Sequence, residues 1–337
     1  MPAYSLFKRF RYCIRLWRAK ISAAISFRFS RFWHPLPASH LPFQRTYAVR
    51  PSLHKTRIFL PPCLTASAST SDPNSTSAAL FPLYLNVHGG GWAILDPDYD
   101  DEFCSFLASR LNAVVASLDY HKTPSHAFPT PIFDIAALAN AIIRDPSLNI
   151  DAARVVIGGF SAGGNLALAA AQLPQLARSF RGVVAVYPVC DVHTEEVAKV
   201  MRAPGFGVGT RELQKAAPAQ PTPSDPYQSM IWGYVPAGWD LRDPLLSPVF
   251  AQRERLPENV LLISAEKDLF AREAKEMAEN LRVQGGRGEV RWDCIEGMSH
   301  AFTHATEVDG EAEAKRKKAM DEMYESIAVW LEEKSFS

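Results

Sequence analysis

Three short stretches of the chain carry side chains that could do chemistry together. Gly159-Phe160-Ser161-Ala162-Gly163 sets a serine between glycines where a strand candidate (154–158) runs into a helical stretch. A serine on such a strand-to-helix turn stands above the sheet, and the glycines prevent collisions with the neighbouring strand and helix. The helix start beneath it aims the Ala162 N–H at an incoming carbonyl oxygen. His88-Gly89-Gly90-Gly91-Trp92 follows another strand candidate (81–87). Three successive glycines let backbone N–H groups point into a cavity, which suits stabilisation of an oxyanion. His88 reads as a hydrogen-bonding brace for that loop rather than as a base. No phosphate-binding glycine spacing accompanies the loop.

A serine nucleophile needs a base that titrates near neutrality and a carboxylate that fixes the tautomer of that base. After such a turn, the expected chain order is Ser, then Asp or Glu, then His. Asp268 follows the strand candidate 260–265, and His300 follows 289–294. Both fall at carboxyl strand ends, as Ser161 does. Glu266 lies too near its strand to compete, Glu273 already belongs to the next helix, and His304 sits a turn beyond His300. Alone, Asp268 would read as a helix cap.

The elements that must position these residues alternate along the chain. Further strand candidates are 57–60, 113–118 and 182–187; helix candidates are 101–111, 132–143, 164–173, 271–284 and 311–333. Continuously apolar strands separated by helices predict a mainly parallel α/β sheet covered on both faces. Ligand sites in such sheets collect at the carboxyl ends of the strands. Residues 193–245 break the rhythm with prolines, glycines and the aromatics Trp232, Tyr234 and Trp239, and read as an insertion over the site. Residues 65–79, rich in Ser, Thr and Ala, read as a flexible surface loop.

The chain has 337 residues, 36 Lys+Arg against 36 Asp+Glu, and five cysteines. The zero net charge argues against a protein built to coat nucleic acid. The cysteines are isolated, with neither a C-x-x-C pair nor zinc spacing, so no metal site is expected; they suit a reducing, intracellular compartment. The neutral sum hides an asymmetry: residues 1–71 hold twelve Lys/Arg and no acid, and the remainder holds 24 basic and 36 acidic residues. Phe7, Phe10, Ile14, Trp17, Ile21 and Ile25 recur at helical spacing, with Lys8, Arg11, Arg15 and Arg18 one position behind. This basic amphipathic segment, within residues 1–56, fits an anionic membrane surface or a mitochondrial transit peptide. It also fits a helix folded over the body with its aromatic stripe buried. Arginines interrupt it too often for a membrane span.

Taken together, His88–Gly91 and Gly159–Asn165 (GFSAGGN) resemble the HGGG-type, hormone-sensitive-lipase-like esterases and lipases of the α/β-hydrolase superfamily. Supporting stretches include Asp119-Tyr120 with Pro124, His126, Phe128 and Pro129, then Tyr187–Asp191, Asp243–Ala251 and Gly297–Phe302. The resemblance covers roughly residues 57–333. It implies an α/β-hydrolase domain over 57–337, with a cap made by the N-terminal segment and the insertion at about 193–245. It implies Ser161 as nucleophile, Asp268 as acid partner, His300 as general base, and Gly90, Gly91 and Ala162 as oxyanion donors, with Gly89, Gly159 and Gly163 as supporting turn residues. The sequence departs from the family in having Phe160 where an acid usually precedes the nucleophile, and Asp268-Leu269-Phe270 where Asp-Pro-Leu is common.

The expected function is cofactor-independent hydrolysis of carboxylic esters of small or medium-sized apolar compounds. Acyl transfer or amide cleavage by the same triad, and a non-catalytic small-ligand receptor, are the competing readings. Trp92, Phe160, Trp232 and Trp239 are candidates for an apolar pocket wall or for ordinary core packing.

Overall fold

Apolar runs of five to seven residues are long enough to cross a sheet and too short for a stable helix, and here they pair side by side. The computed structural model describes residues 6–33, 42–67, 79–176, 178–192 and 226–337. Among them the strands are β1 (Phe43–Gln44), β2 (Arg57–Phe59), β3 (Phe81–Val87), β4 (Val114–Leu118), β5 (Ile150–Phe160), β6 (Gly182–Val186), β7 (Asn259–Ala265) and β8 (Val290–Ile295). They form one sheet in the order β1-β2-β4-β3-β5-β6-β7-β8. From β4 to β8 every pair is parallel; β1 and β2 pair antiparallel at one edge. The edge strand β1 was not expected, because two residues carry no periodicity to read.

The helices are α1 (Leu6–Trp33), α2 (Pro62–Ser67), α3 (Asp101–Arg110), α4 (Thr130–Ile143), α5 (Ala162–Ala171), α6 (Pro226–Tyr234), α7 (Ala271–Gln284) and α8 (Gly310–Lys334). Every residue of β3, β4, β6 and β7 is buried, as a sheet covered on both faces requires. Alternation along the strands sends side chains to two cores. Leu83, Leu85 and Val87 belong to the core shared with α4, α5 and α7, while Tyr84, Val156 and Ile263 belong to the core shared with α3 and α8. The long α8 begins where the Asp309 carboxylate accepts from the N–H groups of Glu311 and Ala312.

Helix α2 occupies the start of the stretch read as a flexible loop, and residues 68–78 of that stretch lie outside the described residues. Of the insertion expected at 193–245, residues 193–225 also lie outside them. Its remainder contains α6, which packs against α1: the rings of Tyr12 and Trp232 lie 5.5 Å apart. Leu16 is fully buried where α1 passes Gly233 and Thr123.

This packing overturns one reading of the N-terminal helix. The aromatic stripe is not buried over the body; the side facing inward carries Tyr12 and Leu16, with Ala19 and Ala23 half-buried. That i, i+4, i+7, i+11 row lies along one helix face.

Candidate active site

Strand β5 pairs with β3 so that Gly159 stands opposite Val87. The chain must then turn sharply into α5, and Ser161 adopts φ 53°, ψ −119°. A non-glycine residue at positive φ is strained, and neighbouring contacts must hold it there. The Ser161 N–H donates to the Val186 carbonyl (2.8 Å), and the Ser161 carbonyl accepts from the Asn165 N–H (3.1 Å). A Cβ on Gly163 would sit 2.0 Å from the Val87 carbonyl oxygen, so only glycine allows the helix so close to the sheet.

Strands β7 and β8 bring the other two residues alongside. Beyond their last pair, Ala265 with Ile295, the loops are stitched by the Glu266 N–H to Ile295 and the Lys267 N–H to Met298. This places the Asp268 carboxylate 2.7 Å from His300 Nδ1, and His300 Nε2 lies 2.9 Å from Ser161 Oγ. Asp268 is buried, and its other oxygen accepts from the Phe270 N–H. Because the carboxylate can only accept, Nδ1 carries the proton, and bare Nε2 accepts from the serine hydroxyl.

The glycine loop lies beside this row, with a Cβ position on Gly89 only 3.6 Å from the Ser161 Cβ. Gly90 has φ +103°, and a Cβ there would lie 2.3 Å from the Ile94 carbonyl oxygen, so the bend requires glycine. Among the described residues, the N–H groups of Gly90, Gly91 and Ala162 donate to no protein acceptor. His88 is fully buried; its Nδ1 donates to the Gly89 carbonyl (2.8 Å), and its ring stacks on Tyr120 at 4.4 Å. Burial, reinforced by Lys122, lowers its pKa to about 3, so it is a neutral brace.

Several contacts around the row were not assigned from sequence. Tyr187 and Phe270 hold the His300 ring edge-on, at 5.0 and 5.1 Å. His304 is committed elsewhere: Nε2 donates to Asp100 (2.8 Å), and Nδ1 lies 2.8 Å from the Thr303 hydroxyl and 3.1 Å from the Tyr187 hydroxyl, which are bonded to each other. Asn165 links three loops, donating to the carbonyls of Val189 and Leu246 and accepting from Trp92 Nε1. Tyr187 and Asn165 stood inside recognisable motifs, whereas the Asp100–His304 pair spans 204 positions and left no local signal. Glu266 accepts from the Gly297 N–H, and Glu273 accepts from the N–H groups of Cys190 and Asp191.

Of the four aromatic wall candidates, Trp92 and Phe160 are fully buried core residues. Trp92 stacks on Tyr234 at 4.3 Å. Phe160 points into the core on the α3/α8 side of the sheet, because β5 alternation turns it away from the face that Ser161 leaves. Trp232 is half-buried against Tyr12, and exposed Trp239 meets Phe128 edge-on. An open groove lined by Phe250, Arg253, Gln284 and Arg287 includes no residue of the row. The Arg253 guanidinium there already donates to the carbonyls of Pro257, Glu258 and Arg287. Among the described residues, no group of three His, Cys, Asp or Glu side chains could hold a metal ion.

A second Ser–His–Asp row exists. Ser52 Oγ is 2.9 Å from His121 Nε2, and His121 Nδ1 is 2.8 Å from Asp134. Ser52 sits in an exposed turn with no helix starting behind it, and Asp134 also accepts from Arg50 Nε. The neighbouring Leu53 N–H is spent on the Arg50 carbonyl, and spacing alone does not make a site.

The sheet order, the turn after β5 and the glycine loop define an α/β hydrolase. The Abhydrolase_3 family model, described as alpha/beta hydrolase fold, matches residues 84–304, and the chain belongs to this family. Its HGGG and GFSAGGN stretches place it in the hormone-sensitive-lipase-like group. It is 35% identical to neutral cholesterol ester hydrolase 1 of Mus musculus over 132 residues, 36% of this chain and 32% of that protein. It is 39% identical to versiconal hemiacetal acetate esterase of Dothistroma septosporum over 127 residues, 34% of this chain and 37% of that protein. The chain thus spans about a third of the length of these curated relatives. Among solved structures, it is similar to the ester-hydrolase EH1AB1 from the metagenome of Lake Arreo, complexed with a derivative of bipyridine phosphonate. That match has a TM-score of 0.68 and 26% identity, and covers 92% of this chain and 90% of that one.

Proposed function

We propose that the protein is a serine hydrolase that cleaves carboxylic esters of small or medium-sized apolar compounds through an acyl-enzyme on Ser161. The observation that carries this reading is the hydrogen-bonded row Ser161–His300–Asp268, at 2.9 and 2.7 Å, with its serine at the strained head of α5 beside the glycine loop. The names of the relatives, ester hydrolases and esterases, agree with it.

His300 Nε2 takes the hydroxyl proton as Ser161 Oγ bonds to the ester carbonyl carbon. The carbonyl oxygen becomes an oxyanion held by the N–H groups of Gly90, Gly91 and Ala162; one such donor is worth about 10²–10³ in turnover. Asp268 stabilises the imidazolium without taking its proton. The C–O bond to the alcohol then breaks, and His300 Nε2–H protonates the departing oxygen. Water repeats the sequence: it loses a proton to His300, attacks the acyl carbon, and releases the acid while Ser161 regains its hydrogen. No step calls for a cofactor. The cap belongs to this proposal: α1 with α6, and Trp232 on α6, would bound the acyl or alcohol side.

A panel of p-nitrophenyl esters from acetyl to long-chain acyl, run on wild type, Ser161→Ala, His300→Ala and Ser52→Ala, tests the reading. Ser161→Ala and His300→Ala should each lose several orders of magnitude in kcat with the fold intact, and Ser52→Ala should lose nothing. A serine-directed phosphonate should add its mass at Ser161. Full turnover in a folded Ser161→Ala protein would sink the mechanism.

A further inference from the structure

Helix α1 turns a row of large apolar side chains to solvent. Phe7, Phe10, Ile14, Trp17, Ile21 and Ile25 are all exposed, from 43% at Ile14 to 71% at Phe7. At about 100° per residue, this row is centred about 170° from Tyr12 and Leu16, the residues that hold the helix to the body. The stripe therefore faces directly away from the fold, and among the described residues nothing covers it. It is a contiguous row of about 27 Å, at 1.5 Å per residue, rather than the scattered exposed leucines and valines of an ordinary surface.

The charges beside the stripe have one sign. Arg11 and Arg18, both exposed, project along one edge, while Lys20, half-buried beside Trp17, leans toward the body. The Arg11 guanidinium lies 5.9 Å from the Phe7 ring centre, and Lys20 Nζ 5.2 Å from that of Trp17. The first 71 residues contain no acid to neutralise them. An apolar strip edged by exposed arginines matches the boundary of an anionic bilayer, where rings enter the acyl region and cations meet headgroup phosphates. A partner protein offering the same complement would need an apolar groove edged by acids. The acidic body of this chain itself leaves the stripe open among the described residues. No helix of those residues is long and apolar enough to cross a membrane, so the helix would lie in the interface plane.

We propose that the outward face of α1 docks the protein on anionic lipid membranes, with the helix parallel to the surface. The proposal stands independently of the reaction at Ser161, since none of its residues touches that row.

Co-sedimentation of the 337-residue chain with phosphatidylcholine vesicles, with and without phosphatidylserine, tests it. The wild type should pellet at least about tenfold more with the anionic vesicles at low salt and lose that preference at high salt. Phe10→Ser/Trp17→Ser/Ile21→Ser should stay in the supernatant while its circular dichroism and its thermal midpoint remain those of the wild type. Should that variant misfold, Arg11→Glu/Arg18→Glu carries the test by losing the preference for anionic vesicles. Failure of the wild type to pellet, or pelleting unchanged in a folded variant, would overturn the proposal. So would a dimer in sedimentation velocity that the serine variant dissolves without any vesicle binding, because the stripe would then belong to a second copy of the chain.

Discussion

The ring of Phe160 meets the ring of His304 edge to face, with centroids 5.2 Å apart. The residue before Ser161 therefore contributes an apolar edge where the family resemblance leads one to expect a carboxylate. The polar partner of His304 comes instead from Asp100, whose second oxygen accepts from Asn86 Nδ2 at 2.7 Å.

Restoring the common residue should consequently fail. Phe160→Asp would remove a ring packed against Phe103, Tyr187 and His304, and would bury a second carboxylate near Asp100. Loss of a buried phenylalanine alone costs about 3–5 kcal/mol, and an unpaired buried charge adds to that. Thermal denaturation should show a midpoint at least about 5 °C lower, or soluble protein should not be recovered. Phe160→Leu should fall well short of that loss. An unchanged midpoint in Phe160→Asp would show that the pocket accepts the charge.

His88 should make the fold acid-sensitive. Its imidazole is neutral in the native protein, with the pKa lowered from 6.5 to about 3 chiefly by burial. The unfolded chain takes up the proton below about 6.5 and the folded chain does not. The stabilising contribution is therefore complete above about pH 6.5 and is lost as pH falls toward about 3. His88→Asn keeps a donor for the Gly89 carbonyl and removes the titration. Its melting midpoint should start lower at neutral pH and then decline less steeply with acid. Parallel curves for the two proteins would assign the acid limb to other groups.

Glu273 should act with the opposite sign. Burial pushes its carboxyl well above the usual 4.5, against the pull of the Cys190 and Asp191 N–H groups. The unfolded chain releases this proton first, so the stabilising contribution is present below about pH 4.5 and is lost as pH rises through the native value. Glu273→Gln reproduces the protonated shape and its carbonyl acceptor. Its midpoint should exceed that of the wild type by a margin that widens from mildly acidic to mildly alkaline buffer. Glu273→Ala should be destabilised throughout, because each orphaned N–H costs about 1–3 kcal/mol. A constant gap between wild type and Glu273→Gln would show that Glu273 is already ionised.

What the sequence determined by itself was local. The turn around Ser161, the glycine loop after β3 and the placing of Asp268 and His300 just beyond strands follow from short-range patterns: apolar runs, glycines at tight approaches, and residue order along the chain. With a parallel sheet, that order already put all four features at one end. The tertiary structure alone decided how distant segments meet. It brought Ser161, His300 and Asp268 into one hydrogen-bonded row, and it also built the Ser52–His121–Asp134 row in an exposed turn. It turned Phe160 into the core behind the site and paired His304 with Asp100 across the sheet. On α1, the 3.6-residue period identified an apolar stripe but could not say which way it would face. Periodicity defines the faces of an element, and only the shape of the surface it packs against selects the inner one. Tyr12 and Leu16 fit against α6, and the aromatic row was left to the solvent.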